Sequence, residues 1–372
     1  MVENFEIGGP YNFNENELLL DVNKRTTCNL ILTDSNEKVF FTSSGRGAIN
    51  IMLHNIIKEH QNINKVVLLP FYACESEITP FKDNGFVIRY YKVKTDLTID
   101  IYDLFQQINF FSPSIIYFQS YFGFDTLNNI RRYYNYLRKE NIFIVEDITH
   151  SWLSSFKKTD ADYYVLSMRK WLEIPDGGAL ISTTHNIDQS CFSNIDYHKE
   201  IIDNFIEMSI NKNLYFKSKD ENKKSRYMFL VKKNKKILHE NKNIYRLSDI
   251  SAQILNGSDW EFIRDSRRQN YKMLFNELNE TINFKPVFNH FPDDVVPLYF
   301  VILIKKDRTK FQKALINERI YCPIHWPIYN EIESIYSKES LNFQYQILSI
   351  PCDQRYNELD IKRIISTINN IN

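Results

Sequence analysis

The sequence predicts an α/β fold, a mainly parallel sheet flanked by helices, followed by a smaller α+β unit at the C-terminal end. Three observations predict it. Short continuous apolar runs alternate with helical patterns between Val39 and Thr183. Those runs are apolar at successive positions, as in strands covered on both faces, and such strands belong to parallel sheets. The chain has 372 residues, enough for about two domains at roughly 150 residues each.

The elements follow in order. After a polar lead, VFFTSSGRGAINIMLHNIIKEH runs from an apolar strand through Ser-Ser-Gly-Arg-Gly into a helix. Ile49, Leu53, Ile56 and Ile57 share one face of that helix. KVVLLP is a buried strand closed by proline. ITPFKDNGFVIRYYKV predicts a helix, a glycine stop and a strand. SIIYFQSYFG is a further buried strand, LNNIRRYYNYLRKEN a polar helix, and IFIVEDITHSW again a strand. YYVLSMRKW and GALIST predict two more strands around the segment SMRKWLEIPDGG. From 211 to 243 the chain is basic and polar, which predicts a solvated surface face. A nucleic-acid patch is the other reading of that stretch, and nothing else in the chain supports it. Helical patterns resume at YRLSDISAQIL. VVPLYFVILIKK is a strand and FQKALINERI a helix, while YCPIHWPIYN and ILSIPCDQRY read as loop-rich.

Composition narrows the function classes. Lys+Arg and Asp+Glu are both 46, so no global charge points to nucleic acid or an anionic membrane. No apolar run approaches the roughly 18–20 residues that span a bilayer. The start, MVENFEIGGP, lacks the charged-then-apolar pattern of a signal peptide. Five cysteines, at 28, 74, 191, 322 and 352, are scattered and odd in number. They predict no disulfide framework and fit a reducing cytoplasm. The eight histidines show no H-x-H or H-E-x-x-H spacing, so no metal site is expected.

Four places carry chemistry, all at predicted carboxyl ends of strands, where open α/β sheets bind ligands. SSGRGAI precedes a helix, whose free N–H groups and dipole favour an anion such as phosphate. It can equally be a plain helix cap. FIVEDITHSW ends a buried strand in Glu-Asp. Asp147 can cap the next turn, or it can pair with a cationic ring nitrogen, and its burial makes better sense with such a partner. Lys170 lies between two apolar segments. It can snorkel to solvent, or, if buried, its free amine becomes a nucleophile suited to a Schiff base. Ser167, three residues earlier, can bond nearby backbone or add a hydroxyl to the phosphate site. A phosphate cradle, a carboxylate and a lysine in this order are the parts that pyridoxal 5'-phosphate requires.

The sequence resembles the DegT/DnrJ/EryC1/StrS group of sugar aminotransferases, which have the fold-type I PLP-dependent transferase architecture. The likeness runs through FEIGGPY, FTSSGRGAI, VVLLPFYACESEITPFKDNGF, FIVEDITHSW, SMRKWLEIPDGGALIST, YRLSDISAQIL, PIHWP and LSIPCDQRY. It implies a large cofactor domain over 1–243, with residues 1–15 as an arm packing on the small domain, and a small domain over 244–372. It also implies a homodimer with shared active sites. By this resemblance Ser44, Gly45 and Arg46 belong to the phosphate cradle, the last two through backbone amides. Asp147 binds the pyridine nitrogen, His150 lies near the ring, Ser167 binds phosphate, and Lys170 forms the Schiff base.

Two departures stand out. Most family members have about four residues between this serine and lysine, whereas SMRK has two, and Arg169 occupies the shortened loop. The aromatic that stacks on the ring falls, by spacing, at Cys74, so the ring contact belongs to Tyr72 or Cys74. Ser120, Arg169, His325, Trp326 and Arg355 are the substrate-side candidates. Arg355 is suited to an anionic group by its planar fork, with a structural salt bridge as its other reading; His325 can likewise be an ordinary satisfied loop histidine. Relatives that carry histidine in place of the lysine dehydrate their substrate, so Lys170 points to transamination. The resemblance therefore implies an aminotransferase with two small-molecule substrates, an amino-acid donor and a keto-sugar nucleotide or similar carbonyl acceptor, in surface polysaccharide biosynthesis. The alternatives are another PLP-dependent reaction (decarboxylation, elimination or aldol cleavage) and a non-catalytic binding protein.

Overall fold

Val66–Pro70 reads VVLLP and has no polar side chain to turn toward water; it forms an interior strand of a seven-stranded sheet. The computed structural model describes residues 4–22, 24–30, 38–156, 161–183, 185–187, 195–328 and 330–371. Its strands, in chain order, are β1 (Ile7–Gly8), β2 (Lys38–Thr42), β3 (Val66–Pro70), β4 (Val87–Tyr91), β5 (Ile115–Gln119), β6 (Phe143–Asp147), β7 (Tyr163–Ser167), β8 (Gly178–Ser182), β9 (Phe284–Pro286), β10 (Phe300–Ile304), β11 (Ile320–Tyr321) and β12 (Ile347–Ile350).

The large sheet has the order β2-β8-β7-β6-β5-β3-β4. Strands β3 to β7 pair in parallel, and β8 lies antiparallel to both β7 and β2. The parallel strands therefore deliver their carboxyl ends to one edge. Helix Gly45–Glu59 packs on this sheet through Ile49, Leu53 and Ile56, which are buried, with Ile57 half-buried. Gly85, at φ +80°, supplies the stop before β4, because only glycine takes that conformation without a steric penalty. A second, three-stranded antiparallel sheet has the order β12-β10-β9.

Some expected elements differ in detail. The run YYVLSMRKW is not one strand: β7 ends at Ser167, and Met168–Lys170 forms a 3-10 turn closed by Trp171 N–H to Met168 O at 3.0 Å. The turn lifts Lys170 off the sheet, where it is half-buried rather than buried. LNNIRRYYNYLRKEN breaks into two short helices, Asn128–Arg131 and Tyr134–Lys139. ILSI is not a loop but β12, paired with β10. The basic stretch belongs to a pair of helices, Lys199–Ser218 and Glu221–Glu240. Most of their lysines face outward, but Lys212 is buried and donates to Pro10 O, while Met208, Tyr215, Tyr227 and Leu230 form a small apolar cluster within.

The N-terminal segment is tied down along its length. Ile7 and Gly8 pair with Ile320 and Tyr321, Asn4 bonds Asp360, and Phe13 N–H donates to Ser209 Oγ at 3.0 Å. Cys28, Cys74, Cys322 and Cys352 are free thiols; Cys191 lies outside the described residues. Among the described residues no helix is long and apolar enough to cross a membrane. Nor do any three His, Cys, Asp or Glu side chains among them gather to hold a metal ion.

One close approach sets the site's position. A Cβ on Gly178 would lie 2.2 Å from the carbonyl carbon of Ser44 and 2.6 Å from the nitrogen of Gly45. Glycine in β8 thus lets the helix start press directly on the sheet. Gly178→Ala should cost about 1–3 kcal/mol through forced backbone displacement. Gly257→Ala, where no atom lies within 4 Å of the added Cβ, should leave stability unchanged or slightly raised. Urea unfolding midpoints check this pair, and equal effects would contradict the tight contact.

Candidate active site

The carboxyl ends of the parallel strands and the start of helix Gly45–Glu59 enclose a cavity of about 120 Å³. Ser44, Gly45, Arg46, Cys74, Asp147, His150, Ser167, Arg169, Lys170 and Trp326 all line it. Wider grooves of about 910 and 760 Å³ occur elsewhere, but neither is lined by Asp147 or Lys170.

At one part of the cavity lies the helix start. Ser44 is the N-cap, its Oγ accepting from Gly47 N–H at 3.1 Å. A Cβ on Gly45 would stand 3.4 Å from that of Ser167, so the end of β7 abuts the first helical turn. Ser167 N–H donates to Thr149 Oγ1 at 2.9 Å. Arg46 reaches sideways and donates to Leu238 O, at the end of the basic helix pair.

Strand alternation separates the two acids that end β6. Glu146 faces the helices and meets Arg131 Nε at 3.3 Å and Tyr134 OH at 2.7 Å. Asp147, only 4% exposed, faces the cavity. Its Oδ2 accepts from Tyr117 OH at 2.6 Å and its Oδ1 from Thr149 N–H at 2.7 Å. Burial pushes its carboxyl above the usual range, and the hydrogen bonds from Thr149 and Tyr117 and the charge of Lys170 pull the other way.

Sequence reasoning missed a second carboxylate here. Glu77 is buried and lines the cavity. It accepts from Cys74 N–H at 3.2 Å and from Gln119 Nε2 at 3.3 Å. Burial, then the Asp147 charge, raise its carboxyl well above the ordinary range. The signal was the capping box that Glu77 forms with Cys74 at the helix Glu75–Asp83. Tyr117 and Thr149 were missed too, because only the fold brings them to Asp147.

His150 stacks on Trp326, with ring centroids 5.4 Å apart and planes 22° from parallel. Its Nδ1 accepts from Phe122 N–H at 3.4 Å. Burial, with His325 and Lys170 nearby, holds it well below the usual imidazole range, so it is neutral. His325 shares a hydrogen bond with Ser349 Oγ at 2.9 Å, and burial and Lys170 lower it to about 3.

Other expected residues sit elsewhere. Tyr72 is buried behind the cavity wall; its hydroxyl donates to His325 O and its ring packs on Trp326 at 5.0 Å. Cys74, not Tyr72, lines the cavity. Ser120 lies behind Asp147, bonded to Ser151 Oγ and to Asp147 O. Arg355 does not line the cavity. It is held by Asp353 through Nε–Oδ1 at 2.7 Å and Nη2–Oδ2 at 2.9 Å, and lies 4.0 Å from the Tyr11 ring centroid. A carboxylate two residues away offers both oxygens to its planar fork, which is why the arginine turns inward.

A mainly parallel seven-stranded sheet, one antiparallel strand beside a helix start, and a lysine and carboxylate at the strand ends define a fold-type I transferase. The chain belongs to the DegT/DnrJ/EryC1/StrS aminotransferase family, whose model matches residues 35–369. No curated protein matches the chain by sequence. Among solved structures it is similar to PseC of Helicobacter pylori, an aminotransferase involved in pseudoaminic acid biosynthesis. That match has 14% identity over 98% of each chain and a TM-score of 0.67. It is also similar to Spr1654 of Streptococcus pneumoniae in its PLP-form, at 13% identity over 98% of each chain and TM-score 0.67. The sugar aminotransferase CalS13 of Micromonospora echinospora matches at 15% identity over 90% of this chain and 87% of that one, with TM-score 0.62.

His325 generates a pH test. Its folded value near 3 lies below the unfolded value of about 6.5. As pH falls below 6.5, the unfolded chain takes up the proton first, so stability is lost; by pH 5 the loss is about 2 kcal/mol. His325→Asn should remove that part of the slope between pH 7 and pH 5 in urea titrations. An unchanged slope would mean that His325 is accessible to protons in the folded state.

Proposed function

We propose that this protein is a pyridoxal-phosphate-dependent aminotransferase. It moves the amino group of an amino acid, glutamate or glutamine, to a nucleotide-linked keto-sugar or similar small carbonyl metabolite in surface polysaccharide biosynthesis. The observation that carries the reading is Asp147: a buried carboxylate whose hydrogen bonds come from two uncharged donors, in the same cavity as Lys170 and the helix start. The residues fit the cofactor. A cationic ring nitrogen gives Asp147 the partner its burial calls for, and the buried Nε of Arg46 and of Arg169, each without a hydrogen-bond partner among the described residues, suit a phosphate.

In this reading the N–H groups of Gly45 and Arg46, within the cradle capped by Ser44, and the Ser167 hydroxyl hold the phosphate. Asp147 holds the ring nitrogen in its protonated form, and Tyr117 and Thr149 orient the carboxylate. When bound, the cofactor supplies an electron sink for bond breaking at the donor's α-carbon. Lys170 would hold the cofactor through its ε-amine, and the same amine, when free, would take and return the substrate proton. His150 stays uncharged, so it would lie beside a cationic ring without adding a second positive charge. Trp326 and His325 border the acceptor side. Cys74, rather than Tyr72, is the ring contact from the loop after β3. The chain acts as a homodimer, with a cofactor unit over 1–243 and a closing unit over 244–372.

Borohydride reduction of the yellow holoenzyme should fix the cofactor on Lys170, as read by peptide mass spectrometry; an adduct on another lysine would contradict the assignment. Glutamate should convert the bound cofactor to its amino form, whereas carbon dioxide release would favour a decarboxylase. Asp147→Ala should stay folded, lose most turnover, and bind cofactor about 10- to 100-fold more weakly, the worth of a charge-assisted hydrogen bond. Equilibrium titration of apoprotein with cofactor checks the affinity.

A further inference from the structure

Backbone amides and Ser167 do not account for the two arginines at this cavity. Arg46 is the second residue of helix Gly45–Glu59, and Arg169 is the middle residue of the 3-10 turn Met168–Lys170. Both line the cavity. The Nε of each is buried and has no hydrogen-bond partner among the described residues. Burial lowers the basicity of both; the charge of Arg46 opposes that of Arg169, while Glu75 and Asp83 lie close enough to Arg46 to favour its own charge. Asp176 faces Arg169, but its oxygens are already engaged. They accept from Ser248 Oγ at 2.6 Å, Ser248 N–H at 3.0 Å and Ser251 Oγ at 2.5 Å. Burial raises its carboxyl to about 6, so at neutral pH it is still a carboxylate, one negative charge beside two guanidinium groups.

A buried cation without a full partner is costly, and two side by side more so. The helix start adds partial positive charge of the same sign. Together these groups leave unfilled guanidinium donors at the end of the cavity where the helix starts, with Asp147 and Glu77 also lining it. The anion that answers these donors is compact and doubly charged. We infer that the guanidinium groups of Arg46 and Arg169 clamp a phosphate monoester dianion, and that it is the cofactor's own phosphate. This rests on the cofactor reading above and goes beyond it: the two-residue spacing in SMRK turns Arg169, a side chain of this same chain, onto the phosphate. The competing source is a phosphate of a nucleotide-linked acceptor. A cavity of about 120 Å³ is well below the roughly 300–1,000 Å³ of sites that enclose larger ligands, which favours the smaller group.

The test uses the full-length apoprotein and three probes: inorganic phosphate by calorimetry, and pyridoxal phosphate and pyridoxal by absorbance titration. Arg169→Met should weaken inorganic phosphate and pyridoxal phosphate by about 10- to 100-fold and leave pyridoxal unchanged. Arg169→Lys, which keeps the charge and loses the fork, should fall between, and it serves if the methionine variant does not fold. Arg46→Met should behave as Arg169→Met. Wild-type affinity for inorganic phosphate in the Arg169 variants would overturn the inference, as would equal losses for pyridoxal and pyridoxal phosphate. A raised KM for a nucleoside-diphosphate sugar with unchanged phosphate binding by the apoprotein would reassign Arg169 to the acceptor and overturn it too. The two readings fail separately. A Lys170 adduct with phosphate binding indifferent to Arg169 sinks only this inference. Phosphate bound through Arg169 with no adduct at Lys170 sinks the cofactor reading and with it the identity given to this phosphate.

Discussion

A carboxylate buried at the end of a parallel strand, with uncharged neighbours donating to it, is the constraint around which this molecule is arranged. Asp147 accepts from Tyr117 OH and Thr149 N–H, and Tyr117 stands on the adjacent strand β5, two residues before Gln119, the register partner of Asp147. Those bonds hold the carboxylate rigid, but they do not neutralise it. Removing such a charge from water costs several kcal/mol unless a cation compensates. The same cavity carries the opposite problem in Arg46 and Arg169. A site with excess negative character at one group and unfilled positive donors at others is prepared for a ligand that is cationic at one point and dianionic at another.

The fold explains how these groups meet. Parallel strands deliver their carboxyl ends together, and the antiparallel β8 brings Gly178 against Ser44 and Gly45. Any larger residue there would push the helix start, and with it the anion donors, away from Ser167. The turn Met168–Lys170 then lifts the lysine off the sheet edge instead of leaving it in a strand. Around it the aromatic and imidazole groups are kept neutral by burial: Tyr117 is pushed well above its ordinary value, and His150 well below. The charges that remain are therefore few and placed.

Much of this was legible in the sequence. Buried strands such as VVLLP and IIYF announce themselves because every position is apolar, and Ser-Ser-Gly ahead of an amphipathic run marks a helix start. The lysine, the carboxylate and the serine were readable from their places at strand ends. What was not legible depends on packing across the chain. Glu77 went unremarked as one acid in the first turn of a helix, and only the fold makes it a neighbour of Asp147. Arg355 looked available for an anion, yet Asp353 two residues away takes its fork. Tyr72 looked suited to stacking, but its hydroxyl is drawn to His325 O and its ring into the Trp326 cluster. Short-range patterns report periodicity and caps; they do not report which of two nearby side chains wins a contact.

The central claim is that charge complementarity orients one ligand in this cavity. The most direct measurement is a crystal structure of the protein with pyridoxal phosphate bound. The account predicts the ring nitrogen within hydrogen-bond distance of an Asp147 carboxylate oxygen, and the phosphate at Gly45, Arg46 and Ser167 with the Arg169 guanidinium turned onto it. A cofactor bound with its phosphate toward Asp147, or bound outside this cavity, would contradict it.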